Sequence, residues 1–404
     1  MTSRFLLLRN IFRRSGRFLP LVLLLAAPIS LFVVLARKRV LIRFGEIPSR
    51  IGPMSSDLDT YLTLRMVGVG EQKRALDIFC GPPSKPPFNK SLFSLLAKDL
   101  IVVPRLFVIP FLIIINEINS MKRHRAFLNP EGNFEGQLND LIHRYDSPLL
   151  LPEDAVVRFL SELPDDFRKS SDKVVLALRD STYTEKIIGV DSNYSVLRNM
   201  DENQIEMIVN TLTFNGCKVI RGGSVSKPLA KIQNVNFYDY SNSSLRNDFN
   251  DLALFATSKF CIGADTGLHN LALLMRKPTY LLSTPSFTNK LTSPLVKLVA
   301  YCDFVDTKTN NPLSLYEMKE RGVFTTTGNS DLFEVGVTVR RMDEKSIFEF
   351  IGEVLKYERG EWEPSSYSIE LKWKFLEYLE PHGFKMDSTF NFPNYWARNS
   401  KWLD

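Results

Sequence analysis

The chain has 404 residues, 44% of them hydrophobic and 24% charged; these are the proportions of a folded protein with room for two or three cores, and they exclude a disordered chain. Its formal net charge of +6 is unevenly spread, because the first 50 residues carry ten Lys and Arg against one acid, Glu46, leaving 41 basic and 44 acidic residues in the remainder. A basic arm on a mildly acidic body points to a membrane as a partner and excludes a nucleic-acid binder.

The arm, residues 1–17, runs into nineteen uncharged residues between Arg17 and Arg37, FLPLVLLLAAPISLFVVLA. That length spans a bilayer as a helix, and membrane helices tolerate Pro20 and Pro28. The run is long for a signal peptide and meets Arg37-Lys38-Arg39 at once, so a retained single-pass anchor over 18–36 is expected. Basic residues flank both of its ends and do not set the topology. Cys80, Cys217, Cys261 and Cys302 are scattered, and Cys217 and Cys261 fall in predicted strands. They read as buried free thiols in a reducing, cytoplasmic body. Asn89, Asn193 and Asn242 open Asn-x-Ser triplets, which a lumenal body would also allow. No CxxC and no His pair at ligand spacing occur, so no metal site and no cofactor is expected.

Arg39 to Gly45 reads as a first strand, followed by a turn-rich loop, EIPSRIGPMSSD, and a helix, LDTYLTLRMVG, capped by Ser56 or Asp57. Ala75 to Cys80 is a second strand, Asn89 to Ala97 a helix and Leu100 to Val103 a third strand. This alternation predicts a first βα domain over 39–165. Within it, Leu106 to Ile115 is strongly apolar but too short to span a bilayer. It reads as a buried helix, with a patch dipping into the membrane interface as the alternative. Met121 to Arg125, MKRHR, is a solvated basic face or a contact for headgroups. Glu162 to Asp172, ELPDDFRKSSD, is polar and reads as a linker.

A clearer α/β series occupies 173–357. Lys173 to Leu178 is a strand ending at Arg179-Asp180, Glu202 to Phe214 a helix, and Gly216 to Ile220 a strand ending at Arg221-Gly222-Gly223. Val235 to Tyr238 is a strand and Asp248 to Thr257 a helix. Phe260 to Ala264 is a buried strand, Asp265-Thr266-Gly267 a tight turn, and Leu268 to Met275 a helix whose negative end Arg276 and Lys277 complement. Pro278 stops it before the strand Thr279 to Leu282. Three strand ends thus deliver Arg179, Arg221 and Asp265-Thr266-Gly267 to one edge of a parallel sheet, where open α/β sheets bind ligands. Two guanidinium groups beside a helix start suit a pyrophosphate. There Gly267 lets a ligand approach the backbone and Thr266 offers a hydroxyl. The plain alternative is an ordinary strand-turn-helix with Asp265 as an N-cap. Lys345 to Tyr357 is a further helix, and residues 358–404, with four tryptophans from Trp362 onward, form a tail expected to pack across the two domains. No G-x-G-x-x-G follows a predicted strand and no Walker-type loop occurs, which disfavours a dehydrogenase or a P-loop enzyme.

Asp265-Thr266-Gly267, followed by a His, a small apolar helix, a basic residue, Pro and a strand, resembles the nucleotide-sugar site of heptosyltransferase-like GT-B glycosyltransferases. Those place the His three residues after the Gly; here His269 comes two after it and Asn270 holds the usual position, so either residue is a candidate to face the phosphates. The order Arg179-Asp180-Ser181, Tyr194, Leu197-Arg198-Asn199, Val219 to Gly223, then Asp248 and Asp251, resembles a bacterial family of GT-B glycosyltransferases over residues 173–285. Ser49-Arg50-Ile51-Gly52 resembles a family segment that often continues with His, where this chain has Pro53.

The resemblance implies an α/β, GT-B-like fold, two Rossmann-like domains facing a cleft behind an N-terminal transmembrane helix. It places the donor in 173–357 and the acceptor in 39–165. It implies metal-independent transfer from a nucleotide-sugar donor to a glycan or lipid-linked acceptor in cell-surface polysaccharide biosynthesis. The diphosphate would meet Arg179, Arg221, Gly222, Gly223, Asp265, Thr266, Gly267, His269 and Asn270, with Lys227 a weaker candidate. The family's catalytic base sits in the loop after the first strand, which leaves Asp57 and Asp59 as choices. The alternative is a catalytically inactive GT-B-like scaffold of a polysaccharide assembly complex, favoured by Pro53 and the shifted His269.

Overall fold

A computed structural model describes residues 41–68, 75–83, 88–118, 121, 124–126, 143–183, 185, 198–224, 226–229, 232–264, 266–285, 287, 293–325, 329–382 and 389–403. The basic arm and the expected anchor at 18–36 lie outside them, as do Tyr194, Leu197 and Asp265. Among the described residues, no helix is long and apolar enough to cross a membrane. They divide into two compact units, one drawn from within Met1–Ser49, Leu64–Phe88 and Leu96–Leu128, the other from Arg50–Thr63, Asn89–Leu95 and Asn129–Asp404.

The first unit is built on a parallel three-stranded sheet of β1 (Leu41–Glu46), β2 (Ala75–Cys80) and β3 (Ile101–Val103), in that order. The register sets Arg43 opposite Asp77. Their side chains meet in a buried pair, Arg43 Nε and Nη2 donating to the two carboxylate oxygens at 2.6 and 2.7 Å. The apolar stretch after β3 is a 13-residue helix, Arg105–Glu117. It buries Val108, Phe111, Leu112 and Ile115 and stacks Phe111 on Phe44 at 4.3 Å. Leu106 and Phe107 stay 60% and 63% exposed, so the stretch has one buried face.

The second unit holds a six-stranded sheet, every pairing parallel, in the order β6-β5-β4-β7-β8-β9. Its strands are β4 (Lys173–Ala177), β5 (Lys218–Arg221), β6 (Phe237–Tyr238), β7 (Phe260–Gly263), β8 (Thr279–Thr284) and β9 (Val296–Tyr301). Every residue of β4, β7 and β8 is buried. That is why Val174 to Ala177 and Phe260 to Gly263 read as unbroken apolar runs: a central parallel strand is covered on both faces. The helix Glu202–Phe214 between β4 and β5 starts at a reciprocal capping box of Asp201 and Gln204. The C-terminal segment builds into this unit's own core, where Phe375, Phe392, Trp396 and Trp402 surround Tyr301 at the end of β9. Buried Glu353 anchors it, accepting from Trp362 Nε1 at 2.6 Å and from the backbone N–H groups of Asn394 and Tyr395 at 2.7 Å.

Two sequence expectations are corrected. The helix expected from Leu58 begins at Ile51 and runs to Val67, here α1, so Ser56 and Asp57 lie inside it and cap nothing. Pro53 falls in the first turn, where its missing N–H would have had no helical partner. The polar stretch Glu162 to Asp172 is no extended linker: it carries a short helix, Asp165–Arg168, with Leu163 and Phe167 buried.

Candidate functional site

In the six-stranded sheet the chain steps from β4 outward through β5 and β6, then returns to place β7 on the other side of β4. Connections leaving β4 and β7 therefore diverge, and the carboxyl ends of these two strands border the crevice in which doubly wound sheets take their ligands. Arg179-Asp180 follows β4, Arg221-Gly222-Gly223 closes β5, and Ala264 to Gly267 follows β7. Leu176 is in register with Arg221, and Ala177 with Gly263. The strands these segments follow are parallel neighbours, β5-β4-β7, so the described residues of the three segments leave the sheet at one edge.

Their side chains are not all turned outward. Arg221 is entirely buried. It donates to Asp180 Oδ2 at 2.7 Å and to the Lys227 carbonyl at 2.7 Å, with Asp239 at 3.8 Å. Asp180 also accepts the N–H of Lys227 at 2.7 Å and of Thr182 at 2.9 Å. The expected phosphate clamp at Arg221 is thus corrected: a guanidinium already paired with carboxylate in a dry site shapes the loop after β5 and leaves anions to others. Gly223 makes that loop turn at φ +132°, which glycine adopts without strain. Lys227 keeps its ammonium exposed, near Glu202 at 3.3 Å. Arg179 is half-buried at the switch point. Its Nε donates to Asn199 Oδ1 at 2.8 Å, and its carbonyl accepts the Met200 N–H at 2.7 Å.

In the turn after β7, Thr266 is buried and its hydroxyl donates to the Ala177 carbonyl at 3.0 Å. That is a second correction: the hydroxyl ties β7 to β4 and does not face a ligand. The helix that follows, α2, is His269–Leu274, and its N-cap position is Leu268, with no side-chain cap of its own; Asp265, the expected N-cap, lies outside the described residues. Gly267 lies against Gly52 of α1. A Cβ on Gly52 would stand 2.8 Å from the Gly267 Cα and 3.1 Å from Asn270 Nδ2, and one on Gly267 would stand 3.0 Å from the Gly52 nitrogen. His269 is wholly buried with its Cβ 3.1 Å from where a Cβ on Gly263 would be. Asn270, at 6% exposure, is therefore the residue of the pair that lines the glycine contact.

Of the two proposed bases, Asp57 is half-buried inside α1 and accepts from Ser56 Oγ at 3.1 Å. Asp59 is 1% exposed. Arg276 Nη1 and Nη2 reach its two oxygens at 2.7 and 2.9 Å, His143 Nε2 lies 3.4 Å away, and Thr63 Oγ1 donates at 3.1 Å. Burial alone would raise this carboxyl, but hydrogen bonds from His143 and Arg276 and their charges outweigh it and hold the group below its ordinary range. A buried, paired carboxylate with a lowered pKa is a poor proton acceptor, so Asp59 is corrected from base to structural anchor. Ser293 Oγ sits 2.6 Å from His143 Nδ1, an order of Ser, His and carboxylate found in acyl transfer. Here the serine is wholly buried and takes the Leu295 N–H at 3.2 Å, and Arg276 neutralises the carboxylate. The array fastens the 143–149 segment.

Asp180, Asn199 and Gly52 matter more than spacing indicates. All three stand in the segments that carry the family resemblance, the one local signal that could have marked them. Among the described residues no group of three His, Cys, Asp or Glu side chains is placed to hold a metal.

No protein-family model and no curated protein matches the chain. Among solved structures it is similar to ADP-heptose LPS heptosyltransferase II of E. coli, at 14% identity and a TM-score of 0.41, covering 79% of this chain and 99% of that one. It is similar to a glycosyl transferase family 9 protein of Veillonella parvula at 11% identity and a TM-score of 0.42, covering 78% and 97%. E. coli heptosyltransferase WaaC with ADP-2-deoxy-2-fluoro heptose follows at 12% identity and a TM-score of 0.31, covering 60% and 89%.

Proposed function

We propose that this protein is a glycosyltransferase that binds a nucleotide-sugar donor at the carboxyl edge of its six-stranded sheet. It passes the sugar to a glycan or lipid-linked acceptor in cell-surface polysaccharide synthesis. The observation that supports the reading is the strand order, which reverses between β4 and β7, the two strands that Arg179 and Ala264 follow. The resemblance of Asp265-Thr266-Gly267 and its flanks to a nucleotide-sugar site supports sugar transfer over other uses of such a crevice. In this reading Arg179 and the backbone of the Gly222-Gly223 and Thr266-Gly267 turns meet the diphosphate, and Asn270 supports the latter. The leaving diphosphate is stabilised by positive groups without a bound metal, so chelation leaves transfer unchanged. Residues 18–36 tether the chain to the membrane and the body faces the cytoplasm.

Calorimetry of the detergent-solubilised full chain against nucleoside diphosphates and nucleotide sugars tests the donor site, with Arg179→Ala beside wild type. Micromolar binding of one nucleotide, weakened in the variant, supports it; no binding by a folded chain overturns it. Alkaline extraction of membranes tests the tether, and release of the chain into the soluble fraction overturns it. A scaffold that binds the nucleotide sugar without turning it over is the second reading, favoured by the burial and pairing of Asp59. Hydrolysis or transfer of the bound sugar separates the two.

A further inference from the structure

Arg276 is a non-glycine residue in the left-handed backbone region, at φ +57°, where L-residues other than Gly, Asn and Asp rarely sit. The backbone there is a helix end, with the Arg276 N–H on the Leu273 carbonyl and the Lys277 N–H on the Ala272 carbonyl, both at 2.9 Å. It aims the guanidinium at its own helix end and at two separate pieces of chain. Besides its two-pronged bond to Asp59, Nη1 donates to the carbonyls of Leu273 and Leu274 at 3.1 and 3.2 Å, at the end of α2. Nε donates to the Tyr145 carbonyl at 2.7 Å, and Nη2 to the Asp146 carbonyl at 3.3 Å.

Gly52, Asp59 and Thr63 fall on one face of α1, because seven and eleven residues are close to whole numbers of turns. That face, itself part of the second unit, meets the α2 region twice. Gly52 touches Gly267 and Asn270 at the beginning of the region, and Asp59 is bonded to Arg276 at its end. The first contact is a close approach of two backbones, with the Asn270 and Ile51 side chains beside it. The second is a planar fork on a carboxylate, the arrangement that fixes orientation as well as distance.

We propose that Arg276 is a positioning residue of the donor site: its guanidinium seats α1 on α2 and thereby keeps the Thr266-Gly267 turn pressed on Gly52 in its binding conformation. The inference rests on the nucleotide-sugar reading for its consequence, but the clamp itself is measurable without a ligand. Arg276→Gly removes the guanidinium while suiting the backbone to φ +57°, and Arg276→Lys keeps a charge but loses the fork. On the full chain without nucleotide, amide hydrogen exchange should accelerate about tenfold or more in peptides covering 51–55 and 266–270 in both variants. Peptides from β5 and β6 should stay at the wild-type rate. With the nucleotide that wild type binds, affinity should fall about tenfold in both variants. Arg276→Gly leaves Asp59 buried without its guanidinium and should lower the thermal midpoint, so the deciding variant is Arg276→Lys: its affinity loss should persist in chain that is still folded at the temperature of the titration, which a merely structural role would not produce. Wild-type exchange in both peptides overturns the clamp, and raised exchange with unchanged affinity overturns its role in the site. If wild type binds no nucleotide, the donor reading falls, and the exchange rates still decide the clamp.

Discussion

Gly52 and Gly267 meet backbone to backbone, so closely that a Cβ on the first would stand 2.8 Å from the Cα of the second. Neither has a positive φ, so space, not conformation, demands glycine at both. Gly52→Ala and Gly267→Ala each force a backbone shift and should cost about 1–3 kcal/mol. Nucleotide affinity should weaken with each. Urea unfolding and calorimetry measure the two effects, and wild-type behaviour in both variants would show that the turn is free to move.

Asp180 is the counter-charge of a wholly buried guanidinium. Removing one partner of such a pair leaves the other charged and dry, so Asp180→Ala should lose about 3–5 kcal/mol. Lys227→Ala, by contrast, removes an exposed ammonium and should stay within about 0.5 kcal/mol of wild type. Equal urea midpoints for wild type and Asp180→Ala would mean that Arg221 finds water instead.

Asp251 lies buried beside Tyr240, whose hydroxyl donates to it at 3.0 Å, and Arg246 at 3.5 Å. Burial pushes its carboxyl up to about 6, against the pull of Arg246 and the Tyr240 hydroxyl. A folded pKa above the unfolded value of 3.8 means that the native state binds this proton more tightly. Its contribution is therefore fully present below about pH 4 and is lost as pH rises through 6. The stability of Asp251→Asn relative to wild type should thus rise by about 2–3 kcal/mol between pH 4 and 7.5, measured by urea unfolding across that range. A flat difference would show that Asp251 does not titrate there.

All four cysteines are free and buried. Burial pushes the Cys80 thiol up to about 11 and raises Cys217 and Cys261 as well. Since the thiolate is the reactive form, a disulfide reagent at pH 8 should label the native body slowly and take up four equivalents only in denaturant. Rapid labelling of one native thiol would contradict its burial.

Local pattern alone marks five of the six strands in the second unit's sheet, β9 having gone unread, and the edge at which their loops gather. Val174 to Ala177 and Phe260 to Gly263 are apolar without interruption because central parallel strands bury both faces, and each strand end hands its loop to the same side. Asp201 and Gln204, three residues apart, mark the start of the next helix for an equally local reason. Local spacing does not report which charge meets which. Arg221 and Lys227 look alike as strand-end cations, yet one is buried because Asp180, 41 residues earlier, is its partner. Asp59 could pass for a base until Arg276, 217 residues away, is found on both of its oxygens. The first turns of α1 were hidden for the same reason: Gly-Pro reads as a loop, and only packing against Gly267 makes it a helix start. Periodicity is carried by neighbours in the chain, whereas ion pairing and close backbone approach are carried by neighbours in space, which exist only once the chain has folded.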